Sequence, residues 1–187
     1  MTPDARADGS VAGLVLAAGA GRRFGRPKAP VVIDGERLVD RAVRNLREGG
    51  CDPVVVVLGA WVGDVPDAHV VLNEDWAEGM GSSLRHGLVA VESLPGIDRV
   101  VVTLVDLPGL TPAAVRRILA APDPICVATY DGERGHPVAF AREHWPAIAA
   151  SAAGDAGARG FLAGRGDVTL IEVGDVARGY DVDEPAE

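Results

Sequence analysis

Short apolar runs alternate with stretches of helical periodicity along most of the chain. Val11–Ala17 is an apolar run leading into a glycine-rich stretch and reads as a buried strand. In Arg37–Glu48, Leu38, Ala42, Val43 and Leu46 recur at helical spacing, and Gly49-Gly50 ends the helix. Pro53–Leu58 is nearly all valine, the pattern of a strand covered on both faces. His69–Leu72 reads as a shorter strand. Ser82–Ser93 reads as a helix with Leu84, Leu88 and Val91 on one side, and Arg99–Val105 as a strand. Thr111 caps a further helix with Pro112 in its first turn, and Val115, Ile118 and Leu119 form its apolar stripe. Pro124–Thr129 is another strand.

This alternation predicts right-handed βαβ crossovers and a three-layer α/β fold of Rossmann-like type, a mostly parallel sheet with helices on both faces. Past residue 130 the pattern loosens. Val138–Phe140 reads as a short strand, Glu143–Ser151 and Asp155–Gly164 as helical, and Val168–Val173 as a strand. With no repeat, linker or low-complexity segment, residues 11–187 are expected to be one domain behind a disordered tail at 1–10.

In an open parallel sheet, ligands bind beyond the carboxyl ends of the strands. The residues that follow each strand are therefore the candidates for chemistry. After the first come Gly19–Lys28; after "HVVL", Asn73 and then "EGMGSS"; after "VVTLV", Asp106 in "DLP"; after "ICVAT", Tyr130 and "GERGHP". The chemically rich stretches thus share one edge.

Charge sharpens the first of these. The 187 residues carry 18 Lys and Arg against 27 Asp and Glu, a net charge of −9. That balance excludes a general nucleic-acid surface, yet Arg22, Arg23, Arg26 and Lys28 crowd one glycine-rich loop. Cys51 and Cys126 adjoin apolar runs and read as buried thiols, with no paired spacing for zinc. No signal-peptide pattern or membrane-length apolar run occurs, so a cytoplasmic protein without a membrane partner is expected.

Gly19, Gly21 and Gly25 are spaced one residue too widely for a dinucleotide fingerprint, and Pro27 interrupts the helix that motif requires. The P-loop spacing is not met either, since Ala29 follows Lys28. What remains is a loop that wraps a triphosphate with backbone N–H groups and fixed cations, or else a solvated basic turn.

"LAAGAGRRFGRPK" (Leu16–Lys28) resembles the signature of the nucleotidyltransferase superfamily at Leu16, Ala17, Ala18, Gly19, Gly21, Arg23, Gly25 and Lys28. "NEDWAEGMGSSLRHGL", "LVDLPGLTPAAVRRIL", "GERGHPVAF", "GDAGARGFL" and "DVDEP" follow in order. Together they resemble the molybdenum-cofactor nucleotidyltransferases, closest to the cytidylyltransferase type. Ala18, where the guanylyl type has a second glycine, tilts the resemblance to CTP over GTP. It implies a nucleotide-diphospho-sugar-transferase-like fold. It also implies transfer of CMP to the phosphate of a molybdopterin-type cofactor, with a molybdoenzyme receiving the product. Another phosphorylated acceptor, or a non-catalytic carrier of molybdopterin or nucleotide, are the rival functions.

The resemblance implies that Arg23 and Lys28 face the leaving pyrophosphate and that Asp106 and Asp183 hold Mg²⁺. Gly79, Gly81, Ser82 and Ser83 would join Leu16–Gly19, Gly21, Arg23 and Lys28 around the nucleotide. His136, Asp155 and Arg159 would face the acceptor. Arg22 and Arg26 stand at variable positions and are expected in solvent. Plainer roles are open for several. Asp106 can cap a turn before Pro108 and Ser82 can cap its helix. His136 can be a turn histidine held by backbone, and Asp155 can pair with Arg159 across a helical turn. Asp183 can belong to an acidic tail. Trp61, Trp76 and Trp145 read as packing residues, with Trp76 the one near the base segment.

Overall fold

The computed structural model describes residues 10–182. Strand β1 (Ser10–Leu16) leads into the glycine-rich loop, and a small hairpin of β2 (Val32–Ile33) and β3 (Glu36–Arg37) precedes helix α1 (Leu38–Glu48). Then come β4 (Val54–Leu58), β5 (His69–Leu72), α2 (Met80–Glu92), β6 (Ile97–Leu104), α3 (Pro112–Ala120), β7 (Ile125–Tyr130), β8 (Glu133–Ala141), α4 (Trp145–Ser151), α5 (Arg159–Leu162) and β9 (Thr169–Glu172). Seven strands form one sheet in the order β5-β4-β1-β6-β8-β7-β9. Only β8 runs antiparallel to its neighbours β6 and β7.

Alternation along the central strands builds two cores. Val15, Val56 and Val101 face one side, where α1 and α3 pack. Leu14, Leu16, Val55, Val57, Val100 and Val102 face the other, where α2 and α4 pack. Each leucine so buried contributes about 1.5–3 kcal/mol, and the near-continuous apolar strands follow from cover on both faces. The three-layer α/β architecture expected from the sequence is present.

Four local expectations change. Ser10, placed in the tail, opens β1; residues 1–9 lie outside the described residues. Helix α2 starts at Met80 and not at Ser82, because Gly79 takes a φ of 110° and turns the chain into the helix two residues earlier. The short strand expected at Val138–Phe140 is the end of the nine-residue β8. It is long because it pairs with β6 on one side and β7 on the other. The helix expected over Asp155–Gly164 is a 3₁₀ turn at Gly154–Ala156 and the four-residue α5, parted by Gly157 at φ 53°.

Both cysteines are buried free thiols, as expected, and burial pushes Cys51 up to about 12. Among the described residues, no helix is long and apolar enough to cross a membrane.

Candidate functional site

The loop after β1 is shaped by its own backbone. Gly21 sits at φ 60°, and a Cβ there would lie 2.0 Å from the Arg26 carbonyl oxygen, so the loop curls back only with glycine at this point. Gly25 N–H closes the curl on the Gly21 carbonyl at 2.7 Å. Phe24 anchors the loop in the α1-side core, and the Arg26 guanidinium lies 5.9 Å from its ring centroid. Beyond the curl, Val31 N–H donates to the Lys28 carbonyl and Val39 N–H to Ala29, which fixes the lysine backbone.

Lys28 Nζ donates to Asp106 Oδ2 at 2.7 Å, and both side chains are mostly buried, 14% and 18% exposed. Asp106 follows β6 and Lys28 ends the loop after β1, and these strands are parallel neighbours. The other carboxylate oxygen, Oδ1, is buried and has no hydrogen-bond partner among the described residues. A buried carboxylate oxygen without a partner is costly unless a cation or donor reaches it. Among the described residues no three His, Cys, Asp or Glu side chains form a metal cluster. Mg²⁺ is commonly held by one or two carboxylates, with substrate phosphates and water completing its shell, and Asp106 fits that arrangement. The described chain ends at Val182, whose N–H donates to the Asp106 carbonyl at 3.0 Å. Asp183, expected as the second ligand, lies outside the described residues.

A cavity of about 340 Å³ opens over this pair. Its lining includes Leu16–Arg22 and Lys28 from the first loop, Trp76–Met80 and Ser83 from the base segment, and Asp106. Arg22 and Arg26 are both exposed, as expected; Arg22 also borders this cavity and Arg26 lies over the Phe24 ring, whereas Arg23 is absent from the lining.

Ser82 and Gly81 are also absent from the lining, for identifiable reasons. Ser82 Oγ donates to the Asp75 and Gly79 carbonyls, and Asn73 Nδ2 donates to Ser82 Oγ at 2.8 Å and Ser83 Oγ at 3.1 Å. Asn73 and Ser82 thus brace the turn before α2, and Ser82 is not the helix cap. A Cβ at Gly81 would lie 2.7–2.9 Å from the backbone of Ala152 and Ala153, so its missing side chain makes room for chain. Trp76 lines the cavity, while Trp145 is core and Trp61 packs with Arg37.

A second cavity of about 680 Å³ adjoins the first, and Leu16, Met80 and Leu104 belong to both walls. Arg134, His136, Arg159 and Asp181 line it above an apolar floor that includes Leu84, Val127 and Phe140. His136 lies within β8 and not in a turn; the turn is Asp131-Gly132, with φ of 52° and 84°. Burial pushes the His136 imidazole down to about 4, Arg159 adding to the shift and the Asp106 carboxylate opposing it. It is therefore neutral at pH 7. Tyr130 Oη donates to the His136 carbonyl at 2.6 Å.

Asp155 stands apart from His136 and Arg159, since it lines the first cavity. No ion pair joins it to Arg159 among the described residues, because Gly157 breaks the helical turn that would align them. Tyr130 and the "GERGHP" stretch that contains Arg134 stand after a strand in the sequence, but neither residue carries an assigned role there. Glu172 carries none either. It accepts from Asp131, Gly132 and Gly174 N–H and from Thr129 Oγ1, which holds it down at about 2 and fastens the β7–β8 turn to β9.

A family model described as MobA-like NTP transferase domain matches residues 13–169. Nicotine blue oxidoreductase of Paenarthrobacter nicotinovorans is 40% identical over 92% of both chains. A molybdenum cofactor guanylyltransferase of Rhizobium johnstonii is 34% identical over 68% of this chain and 61% of its own. Among solved structures, a homologue of Mycobacterium tuberculosis Rv0371c from Mycobacterium sp. strain JC1 is 31% identical and superposes with a TM-score of 0.80, covering 93% of this chain and 90% of that one. Rv0371c itself, in complex with manganese, gives 0.72 at 28% identity and covers 88% of each chain.

Proposed function

The chain belongs to the MobA-like NTP transferase family, and on that premise we propose that it transfers CMP from CTP to the terminal phosphate of a molybdopterin-type cofactor. An acceptor phosphate oxygen attacks the α-phosphorus, the bond from that phosphorus to the bridging oxygen of the β-phosphate breaks, and pyrophosphate departs. No protein nucleophile is required. The observation that carries the reading is the Lys28–Asp106 pair at adjoining strand ends, with one buried oxygen of Asp106 left without a partner among the described residues.

The first cavity takes the nucleotide. Backbone of Ala18–Gly21 approaches the phosphates, and Lys28 offsets the charge that grows on the leaving group, with Arg23, from the same loop though outside the cavity lining, as the second cation in this reading. Asp106, with Asp183, would hold a divalent ion, Mg²⁺ in this reading, which when bound draws charge from the phosphate oxygens. A manganese complex of a structural relative supports a divalent ion in this fold. Neutral His136 and the cation Arg159 line the acceptor cavity, and the shared wall brings both substrates together, so that catalysis is largely positioning. Ala18 supports CTP. The reading takes residues 11–187 as one cytoplasmic domain that hands its product to a molybdoenzyme.

The 40% identity with nicotine blue oxidoreductase favours a second reading, reduction of nicotine blue or a compound like it in the larger, apolar-floored cavity. One experiment separates the two. Pyrophosphate release is followed with CTP and with GTP, each with and without molybdenum cofactor, beside oxidation of a reduced nicotinamide dinucleotide by nicotine blue. The expected result is pyrophosphate release with CTP that requires the cofactor and a divalent ion. Release with GTP alone overturns the base assignment. Dye reduction without any pyrophosphate release overturns the transferase reading.

A further inference from the structure

The 340 Å³ cavity is charged unevenly. Arg22 and Lys28 come from the loop after β1, whereas Glu78 and Asp155 belong with Trp76 and Gly79 to the segments around the start of α2. Arg85 occupies Glu78, donating to its Oε2 at 3.1 Å. The Asp155 carboxylate makes no hydrogen bond or ion pair among the described residues. It lies against Gly79, the residue before α2, which has no side chain of its own to cap the helix.

Asp155 is exposed, and its turn is positioned by contact with α2. A Cβ at Gly79 would lie 2.6 Å from Asp155 Oδ1 and from the Gly154 carbonyl, and Gly79 has a φ of 110°. The 154–155 turn therefore rests directly on a glycine that lines the cavity. Gly81 seats Ala152 and Ala153, Arg85 Nη1 donates to the Ala152 carbonyl, and Gly157 abuts Met80. Segment 152–157 thus rests on the first turn of α2 and places one carboxylate, without a hydrogen-bond partner among the described residues, in the cavity lining beside Gly79.

Building on the nucleotide site proposed above, we infer that Asp155 is a specificity-determining residue that accepts a hydrogen bond from the exocyclic amino group of the nucleobase. A carboxylate at this place selects by the donor and acceptor pattern of the base edge. Cytosine offers its N4 amino group and guanine its N1–H and N2 amino group. Uracil carries a carbonyl oxygen where cytosine carries the amino group, and that oxygen would face the carboxylate across a repulsive contact. A hydrogen bond to a charged acceptor contributes enough for about tenfold discrimination or more. The site thereby accepts amino-bearing bases and rejects uracil.

The test is direct binding of CTP, GTP and UTP, each with Mg²⁺ and no acceptor, followed by titration calorimetry on wild type, Asp155→Asn and Asp155→Ser. Wild type is expected to bind CTP, or GTP, at least about tenfold more tightly than UTP. Asp155→Asn, whose amide can donate to a carbonyl, is expected to bring UTP within about twofold, and Asp155→Ser to narrow the gap by weakening the amino-bearing nucleotide alone. An unchanged CTP-to-UTP ratio in both variants overturns the assignment while leaving the nucleotide site intact. An equal loss for all three nucleotides overturns it too, since a structural role would act that way. Absence of any nucleotide binding by wild type instead removes the nucleotidyltransferase reading itself.

Discussion

Lys28 and Asp106 hold each other at 2.7 Å in a setting where each is mostly buried. Removing the lysine leaves the mostly buried Asp106 carboxylate without that cation, so Lys28→Ala carries a stability cost as well as a catalytic one. The two effects separate experimentally. Lys28→Ala and Asp106→Asn are each expected to lower single-turnover pyrophosphate release about 10²–10³-fold, the size seen when one stabilising group is lost from a transition-state cradle. Their thermal midpoints should fall by no more than a few degrees, because the pair sits beyond the carboxyl ends of β1 and β6 and neither residue belongs to a core cluster. Loss of turnover that tracks loss of folding would show the pair to be merely structural. Lys28 and Asp106 were legible in the sequence because each lies in the connection that leaves the carboxyl end of a strand, β1 and β6 respectively. Ser82 and Asp155 were not. Their surroundings are set by Asp75 and by Gly79, and a hydroxyl committed to carbonyls reads no differently in sequence from one that is available.

At the scale of elements, α2 shows how strand ends become a site. It is held to the segment after α4 by Gly81, where a Cβ would lie 2.7–2.9 Å from the backbone of Ala152 and Ala153. In an exposed helix, glycine to alanine would stabilise by about 1 kcal/mol. Here the clash is with backbone, which cannot rotate away, and overpacking of this kind costs about 1–3 kcal/mol. Gly81→Ala is therefore expected to be net destabilising, visible as a lower denaturant midpoint with an unchanged slope, and to weaken nucleotide binding by displacing segment 152–157. A higher midpoint would mean that the contact is slack. The long apolar strands and the capped helix α3 were readable because their signals are local. The β2–β3 hairpin, with two residues in each strand, and the first half of β8 carry no apolar alternation. Glu133 and Arg134 sit in β8 because β7 pairs with them, a partnership that periodicity does not encode.

Over the whole molecule, the acidic balance and the topology give opposite expectations at low pH. With 27 acidic and 18 basic residues, acidification first relieves net repulsion. Against this stands Glu172, whose carboxylate joins β9 to the β7–β8 turn. Backbone N–H of Gly132 heads the groups that push it down to about 2 from an ordinary value of 4.5. A carboxyl whose folded value is depressed binds fewer protons folded than unfolded between those limits. Its contribution is fully present above about pH 4.5, falls as pH drops through the folded value, and is gone below about pH 2. Glu172→Gln should thus melt below wild type at pH 7, with a gap that is constant down to about pH 4.5, narrows with further acidification and closes near pH 2. Comparing the two proteins at each pH cancels the general charge effect, which both share. A gap that stays constant through the acid range would mean that Glu172 acts through shape and not through its charge. Because β8 carries Arg134 and His136 into the second cavity, the same loosening should weaken acceptor binding more than nucleotide binding, which depends on β1, β6 and α2.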